Sequence, residues 1–426
     1  MGMLLVVLTA ALSPLAAETI GLAPVPPAEA DLAQCYAWAK VQSESLHMQE
    51  EQIEQLRQQY KQVVGAVLPN VGYNYSTKFQ DTSGAGSSSS GPFYQSPQPQ
   101  ANFTLSQLLF SGFKELSAMK SFKHQEKAGK LQLQRGYALL YQDVSNAFYL
   151  IINLETQLAN VNTAMDLSES RIKELRSWED LGKSRHSEVV LVESQKAAYE
   201  AQAEGLKGQI DVARDLLSFL TGQHLGKAKL VDRLERVREL EAEELVLGLA
   251  STRSDVRSLQ EAVDAQKSQI TVARAGWYPT ATATADYYNY RISFYRPIHW
   301  DAMLTVNLPL FSGGSTVAAT EQAKSQLSQA QYNFELGLRQ ARSQIHSAYA
   351  TLRSSIAQAV AAEKSFRKAD ECYKLQLKEY RLGLVSNLDV LTALAALLNA
   401  KQICDQSVIQ SKLNVLLLKV ADEQLP

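Results

Sequence analysis

The feature that most constrains this chain is a repeat. Phe110-Ser111-Gly112 returns as Phe311-Ser312-Gly313, and Leu181-Gly182 returns as Leu382-Gly383, both at an offset of 201 residues with no gap between them. Upstream, Leu68-Pro69 answers Tyr278-Pro279 at an offset of 210, so the two copies differ mainly in a loop between the proline and the Phe-Ser-Gly word. Self-similarity at a fixed spacing marks a fold built from a repeated unit. Each unit reads helix, proline, strand, loop, strand, Phe-Ser-Gly, very long helix, Leu-Gly, long helix.

The very long helix carries apolar residues stepping by alternate threes and fours, as a coiled coil requires. In the first copy the steps fall on Leu133, Tyr137, Leu140, Val144, Ala147, Ile151, Leu154, Leu158, Val161, Met165, Ser168, Ile172 and Leu175. In the second they fall on Phe334, Leu338, Ala341, Ile345, Ala348, Leu352, Ser355, Ala359, Ala362, Phe366, Ala369, Tyr373 and Gln376. A seven-residue repeat held this far imposes a left-handed supercoil, and the run from Gly112 to Leu181 predicts a helix of about 100 Å. Glycine accepts positive φ and stops a helix, so Gly182 and Gly383 are the points where each long helix reverses.

Heptads alone describe a rod; the strands ask for something else. Val71, Tyr73, Tyr75, Thr77 and Phe79 share one face against Gly72, Asn74, Ser76, Lys78 and Gln80. Ala101, Phe103 and Leu105 then alternate with Asn102, Thr104 and Ser106. The second copy repeats the pattern with Ala281, Ala283, Ala285 and Tyr287 against Thr280, Thr282, Thr284 and Asp286, then Leu304, Val306 and Leu308 against Thr305 and Asn307. Such alternation gives strands with one apolar face, of about the 9 to 11 residues a tilted transmembrane strand needs. Tyr287, Tyr288, Tyr290, Tyr295 and Trp300 gather near strand ends, as an interfacial girdle does. Four strands cannot close a barrel, and lipid does not tolerate open edges, so closure requires further copies of the same chain; three give twelve strands. The connection from Gly84 through four serines to Gly91-Pro92 reads as a solvated loop.

Composition excludes other classes. With 20% charged residues and a formal net charge of −2, the chain has no basic surface suited to nucleic acid. No stretch reaches the roughly 20 apolar residues of a membrane-spanning helix. Leu4 to Ala17 has the length of a signal-peptide core ending in Leu15-Ala16-Ala17, although Met1-Gly2-Met3 lacks the customary Lys or Arg. Cys35, Cys372 and Cys404 are too scattered for a metal site and read as small buried residues. Cys372 and Cys404 stand roughly 15 Å out of step along a hairpin turning at Gly383, which excludes a disulfide. The histidines, His47, His124, His186, His224, His299 and His346, show no ligand spacing and read as surface residues. There is no phosphate-binding glycine loop and no nucleophile elbow, so no cofactor and no catalytic residue is expected.

Duplicated halves, paired hairpins and heptad helices together resemble the TolC-type outer-membrane efflux family. Its local words are Ala273-Arg274-Ala275-Gly276-Trp277-Tyr278-Pro279, Leu308-Pro309-Leu310-Phe311-Ser312-Gly313-Gly314, and the run from Tyr380 to Leu391. The resemblance implies long antiparallel coiled-coil helices forming an α-barrel tunnel, with two β-hairpins per chain contributing to a trimeric 12-stranded β-barrel in outer-membrane lipid. It divides the chain into a signal segment (1–17), a first repeat (18–220, hairpin 69–110, long helices 112–220), an equatorial connector (221–250) and a second repeat (251–426, hairpin 279–311, long helices 314–420). It further implies that the helical tips meet a periplasmic adaptor coupled to an inner-membrane transporter, which makes Leu181, Gly182, Leu382, Gly383 and Leu384 candidate contacts. Asp389 matches a family position that rings the periplasmic entrance, with Glu188 its counterpart in the first half; a second acidic position one turn on is Thr392 here. The alternative for Asp389 is favourable charge in the first turn of the following helix. The rival for the whole chain is an elongated periplasmic coiled-coil adaptor or scaffold, which has no reason to carry four strands patterned for lipid. The exported substrate is not legible.

Overall fold

A computed structural model describes residues 29–81, 96–226, 228–236, 248–292 and 296–424. The signal segment, the Gly84–Pro92 loop and Tyr295 lie outside the described residues. The repeat governs the two longest helices to the residue. Helix α3 (Lys114–Asp180) and helix α6 (Ser315–Arg381) each have 67 residues, about 100 Å of helix. They are followed by α4 (His186–Thr221) and α7 (Asn387–Ala421), and preceded by α2 (Glu44–Val67) and α5 (Ser254–Arg274). Every heptad residue named above is buried or half-buried in both copies. Helix α3 packs against α2, α4, α5 and α7, while α6 packs on α5 and α7.

The strands β2 (Asn70–Lys78), β3 (Gln98–Ser111), β5 (Thr280–Arg291) and β6 (Trp300–Asn307) form one antiparallel sheet in the order β2-β3-β5-β6. The two hairpins have the same register: Asn70 opposes Ser106 in the first, and Thr280 opposes Asn307, its repeat counterpart, in the second. Strand β3, with 14 residues, exceeds the expected length. It is paired along both edges, and register shifts at Ala101/Asn102 and Leu108/Phe110 absorb the extra residues.

Between helices and sheet, the chain turns on backbone conformations few side chains adopt. Gly112 has φ 66° and Phe113 φ 65°, matched by Gly313 at 60° and Gly314 at 83°. A left-handed phenylalanine needs compensation. Phe113 has it: its ring lies edge-on to Phe110 at 5.4 Å and to Tyr278 at 6.5 Å.

Near the middle of the long helices, β1 (Glu29–Asp31) pairs in parallel with β4 (Lys229–Val231), which brings the start of the described chain to the connector. Helix α1 (Leu32–Gln42) follows, capped by a reciprocal Asp31–Gln34 box. The largest apolar cluster sits here, joining Cys35 and Ala39 of α1, Val144, Phe148 and Ile151 of α3, Leu217 of α4 and Leu416 of α7. The last turn of α7 is closed by two guanidinium groups: Arg135 donates to the carbonyl of Val420 at 2.8 Å and Arg253 to that of Ala421 at 3.3 Å. Orphan carbonyls at a helix end are thereby satisfied by positive charge, which the helix dipole favours.

Two expectations need correction. Cys35 and Cys404 are buried but Cys372 is exposed, because it lies off the heptad seam of α6, between Ala369 and Tyr373. His124 is only half-exposed, since its imidazole meets the Glu261 carboxylate of α5 at 2.6 Å; the other histidines are exposed. Among the described residues no helix is long and apolar enough to cross a membrane.

Candidate functional site: the sheet faces and the helical tips

On one face of the sheet the register aligns Tyr73, Phe103, Tyr287 and Trp300 in a single row across all four strands. These rings are exposed by 56%, 47%, 57% and 69%, which is far beyond what a soluble sheet leaves uncovered as a contiguous patch. Below the row the same face shows Val71, Leu105, Leu304 and Val306, also exposed. The opposite face is mainly polar, with Met303 also exposed on it. Asn102 donates to Asp286 at 2.6 Å, Thr104 bonds the same carboxylate, and Asn74 donates to Thr104 at 2.9 Å. Tyr288 belongs to this polar face and leaves the expected girdle; its hydroxyl donates to Asp301 at 3.0 Å and the Arg291 guanidinium lies over its ring. The outer edges, β2 and β6, have no strand partner within the described chain.

The far ends of the long helices carry the expected tip residues. Gly182 at φ 69° and Gly383 at φ 75° both reverse the chain in the left-handed region. The same closing bonds form at each: the amide of Lys183 donates to the Trp178 carbonyl at 2.7 Å, and that of Leu384 to the Glu379 carbonyl at 3.0 Å. Leu181, Leu382 and Leu384 are exposed by 66%, 67% and 71%. These three apolar side chains thus stand in solvent at the tips.

The two acidic candidates lie in different settings. Asp389 is exposed and closes a capping box: its carboxylate accepts from the Ser386 amide at 2.8 Å and the Ser386 hydroxyl at 2.6 Å, while the Asp389 amide donates back to that hydroxyl. The Ser386 hydroxyl, and then its amide, hold this carboxyl below the usual aspartate range. Glu188 is half-buried and accepts from the Ser184 hydroxyl at 3.0 Å and from the Tyr380 hydroxyl at 3.3 Å. It therefore faces the second tip. Thr392 turns its hydroxyl back to the Leu388 carbonyl.

Residues that sequence reasoning passed over join the two tips. Arg171, only 5% exposed, donates twice to the Asn387 side-chain oxygen, at 2.7 and 3.1 Å, and once to Glu174 at 2.8 Å. Its guanidinium lies 4.1 Å from the Tyr380 ring, whose other neighbour is Trp178, stacked at 5.2 Å. Arg381 reaches back to Glu174 at 3.2 Å. Burial against this cluster raises the Tyr380 phenol above its ordinary range. The signal available in the sequence was a break in the repeat: Arg171, Trp178 and Glu179 correspond to Cys372, Glu379 and Tyr380, so the two tips differ where they meet. Among the described residues no three His, Cys, Asp or Glu side chains converge as metal ligands.

Comparison with known proteins bears on this arrangement. The outer membrane efflux protein family model matches residues 248–404. The alkaline protease secretion protein AprF of Pseudomonas aeruginosa is 28% identical over 34% of this chain and 31% of its own, so the match spans about a third of that relative. The outer membrane protein TolC of Salmonella enteritidis is 23% identical over 87% of this chain and 77% of its own. Among solved structures, the outer membrane protein VceC of Vibrio cholerae superposes with a TM-score of 0.80 at 19% identity, covering 92% of this chain and 95% of that one.

Proposed function

We infer that this chain, a TolC-type outer-membrane efflux protein, is one subunit of a passive homotrimeric export channel. The observation that carries the reading is the sheet: an exposed aromatic and aliphatic face backed by a mainly polar one, with two edges that have no strand partner among the described residues, mounted on helices of about 100 Å. Lipid accepts the first face, water the second, and identical copies close the edges. The barrel lies in the outer membrane and the helices extend into the periplasm. The chain performs no chemistry; energy comes from an inner-membrane transporter, joined through a periplasmic adaptor. The exposed tip leucines 181, 382 and 384, with Gly182 and Gly383 at the turns, are the adaptor contacts. Asp389, repeated three times around the axis, places a ring of negative charge at the periplasmic entrance, which attracts cations. Glu188 contributes through its bond to Tyr380, which ties the first tip to the second. Cargo reaches the pore as small molecules or polypeptides.

The decisive experiment combines fractionation with conductance. A heat-modifiable trimer in outer membranes that forms ion-conducting pores in planar bilayers, with conductance through Asp389→Asn less sensitive to added divalent cations, is the expected outcome. A soluble, non-conducting monomer would sink the reading in favour of a periplasmic scaffold.

A further inference from the structure

A cavity of about 400 Å³ opens into the largest apolar cluster of the described chain, where α1 lies against α3. Packed interiors leave few voids larger than a water molecule, and this volume falls within the about 300–1,000 Å³ of small-molecule sites. The sequence of α1 makes the opening. Leu32, Ala33, Tyr36, Ala37 and Lys40 line it from one face of that helix. Two alanines occupy the middle of the face, both exposed, and their methyl groups leave the space unfilled. Opposite stand Tyr141 and Tyr149 of α3 and Leu416 of α7, all buried. The wall is held in place: the Tyr36 hydroxyl donates to the Tyr137 carbonyl at 3.1 Å, and its ring meets Tyr141 edge-on at 4.8 Å.

The charged groups at the two ends of the cavity differ. At the Leu32 end, Asp31 pairs with Arg233 at 3.4 Å. Asp232 accepts from the Tyr149 hydroxyl at 2.9 Å and from the Lys412 ammonium at 2.7 Å. Both carboxylates that line the cavity are therefore matched by neighbours. At the other end the Lys40 ammonium lies 5.0 Å from the centre of the Tyr36 ring and 5.9 Å from that of Tyr137, and among the described residues no carboxylate pairs with it. Along α1, Leu32 and Lys40 stand about 12 Å apart at ~1.5 Å per residue.

We propose that this cavity binds an amphiphilic carboxylate of medium chain length, its apolar chain laid over Tyr36 and the two alanines and its carboxylate on Lys40. The apolar chain leaves water for aromatic and aliphatic walls, which supplies the affinity. One ammonium matches one monoanion, and the charge-assisted bond at the mouth fixes the orientation. The two tyrosine rings hold that ammonium over the opening. A bound molecule bridges α1 to α3 and α7, away from both the sheet and the helical tips, so the site stands whether or not the chain exports anything.

The test is photolabelling of the full chain in lipid nanodiscs with decanoic acid that carries a diazirine near its methyl end, the adducts being mapped by mass spectrometry. Adducts on α1 or on residues 141–149 of α3, removed by excess decanoate but not by excess decyltrimethylammonium, are expected. Equal competition by the cationic amphiphile overturns the carboxylate assignment. Adducts confined to other segments, or none because a second copy or another part of this chain fills the cavity, overturn the site. Lys40→Gln, at an exposed position, should weaken competition by decanoate about tenfold, the loss of one hydrogen bond to a charged group. Unchanged competition in that variant overturns the role of the ammonium. Ala37→Phe should fill the cavity and abolish the adducts, and persistent labelling of the folded variant overturns the placement. Should Ala37→Phe fail to fold, the competition on the unaltered chain still decides.

Discussion

The two helical tips have one backbone and two chemistries. Each ends a 67-residue helix, reverses at a left-handed glycine, and opens the next helix after five intervening residues, 181–185 at the first tip and 382–386 at the second. At the first tip, Arg185 stands at the N-cap of α4 and makes no side-chain cap; at the second, Ser386 stands at the N-cap of α7 within a full capping box. The first tip contributes a buried arginine, Arg171, where the second has the exposed Cys372. A duplicated scaffold keeps what the backbone demands and lets side chains diverge where the copies touch each other.

The contrast can be broken at Arg171 first. Arg171→Ala leaves the Asn387 oxygen without its donor, leaves Glu174 with Arg381 alone, and strips one face of Tyr380, and is expected to cost about 2–3 kcal/mol in denaturant unfolding of detergent-solubilised protein. Cys372→Ala at the equivalent position should stay within about 0.5 kcal/mol. Equal losses would mean that Arg171 is no hub. The glycines sharpen the shared half: Gly182→Ala and Gly383→Ala should each cost about 1–2 kcal/mol, since both force a side chain into the left-handed region. A large difference between them would show that one turn is held by something other than its φ.

Capping supplies the next effect. Ser386→Ala removes the cap of α7 and is expected to cost about 1 kcal/mol, whereas Arg185→Ala removes none. The smallest effect is on pH. Because the Ser386 bonds depress the Asp389 carboxyl in the folded chain, its contribution is complete above the unfolded value of about 3.9 and is lost as pH falls through the depressed folded value. A stability titration of wild type against Asp389→Asn should diverge above that range and converge at the acid end. Divergence that grows toward acid would reverse the sign and refute the assignment.

Much of this fold was legible because it is written twice. The 201-residue offset predicted both long helices, and the three-four steps named the seam residues that are in fact covered. Alternation placed the strands and their faces, and the Leu-Gly words placed the reversals. Arg171, Asn387 and Tyr380 were not legible, since no periodicity marks a polar residue that faces another helix pair 192 or 216 positions away. The aromatic row needed the strand register, which joins Tyr73 to Trp300 through two strands that alternation alone cannot align.

Local chemistry and periodicity therefore determined what each segment is: which stretches are helix, which strand, which face of each is apolar, and where the chain turns back. The tertiary structure decided which segments meet: hairpin against hairpin in the order β2-β3-β5-β6, Glu188 against Tyr380, and a buried arginine between the tips. The division follows from the range of the forces involved. Backbone hydrogen bonding and side-chain period act within a few residues and are visible in one dimension, whereas register and polar pairing depend on distances in space that only the packed chain sets.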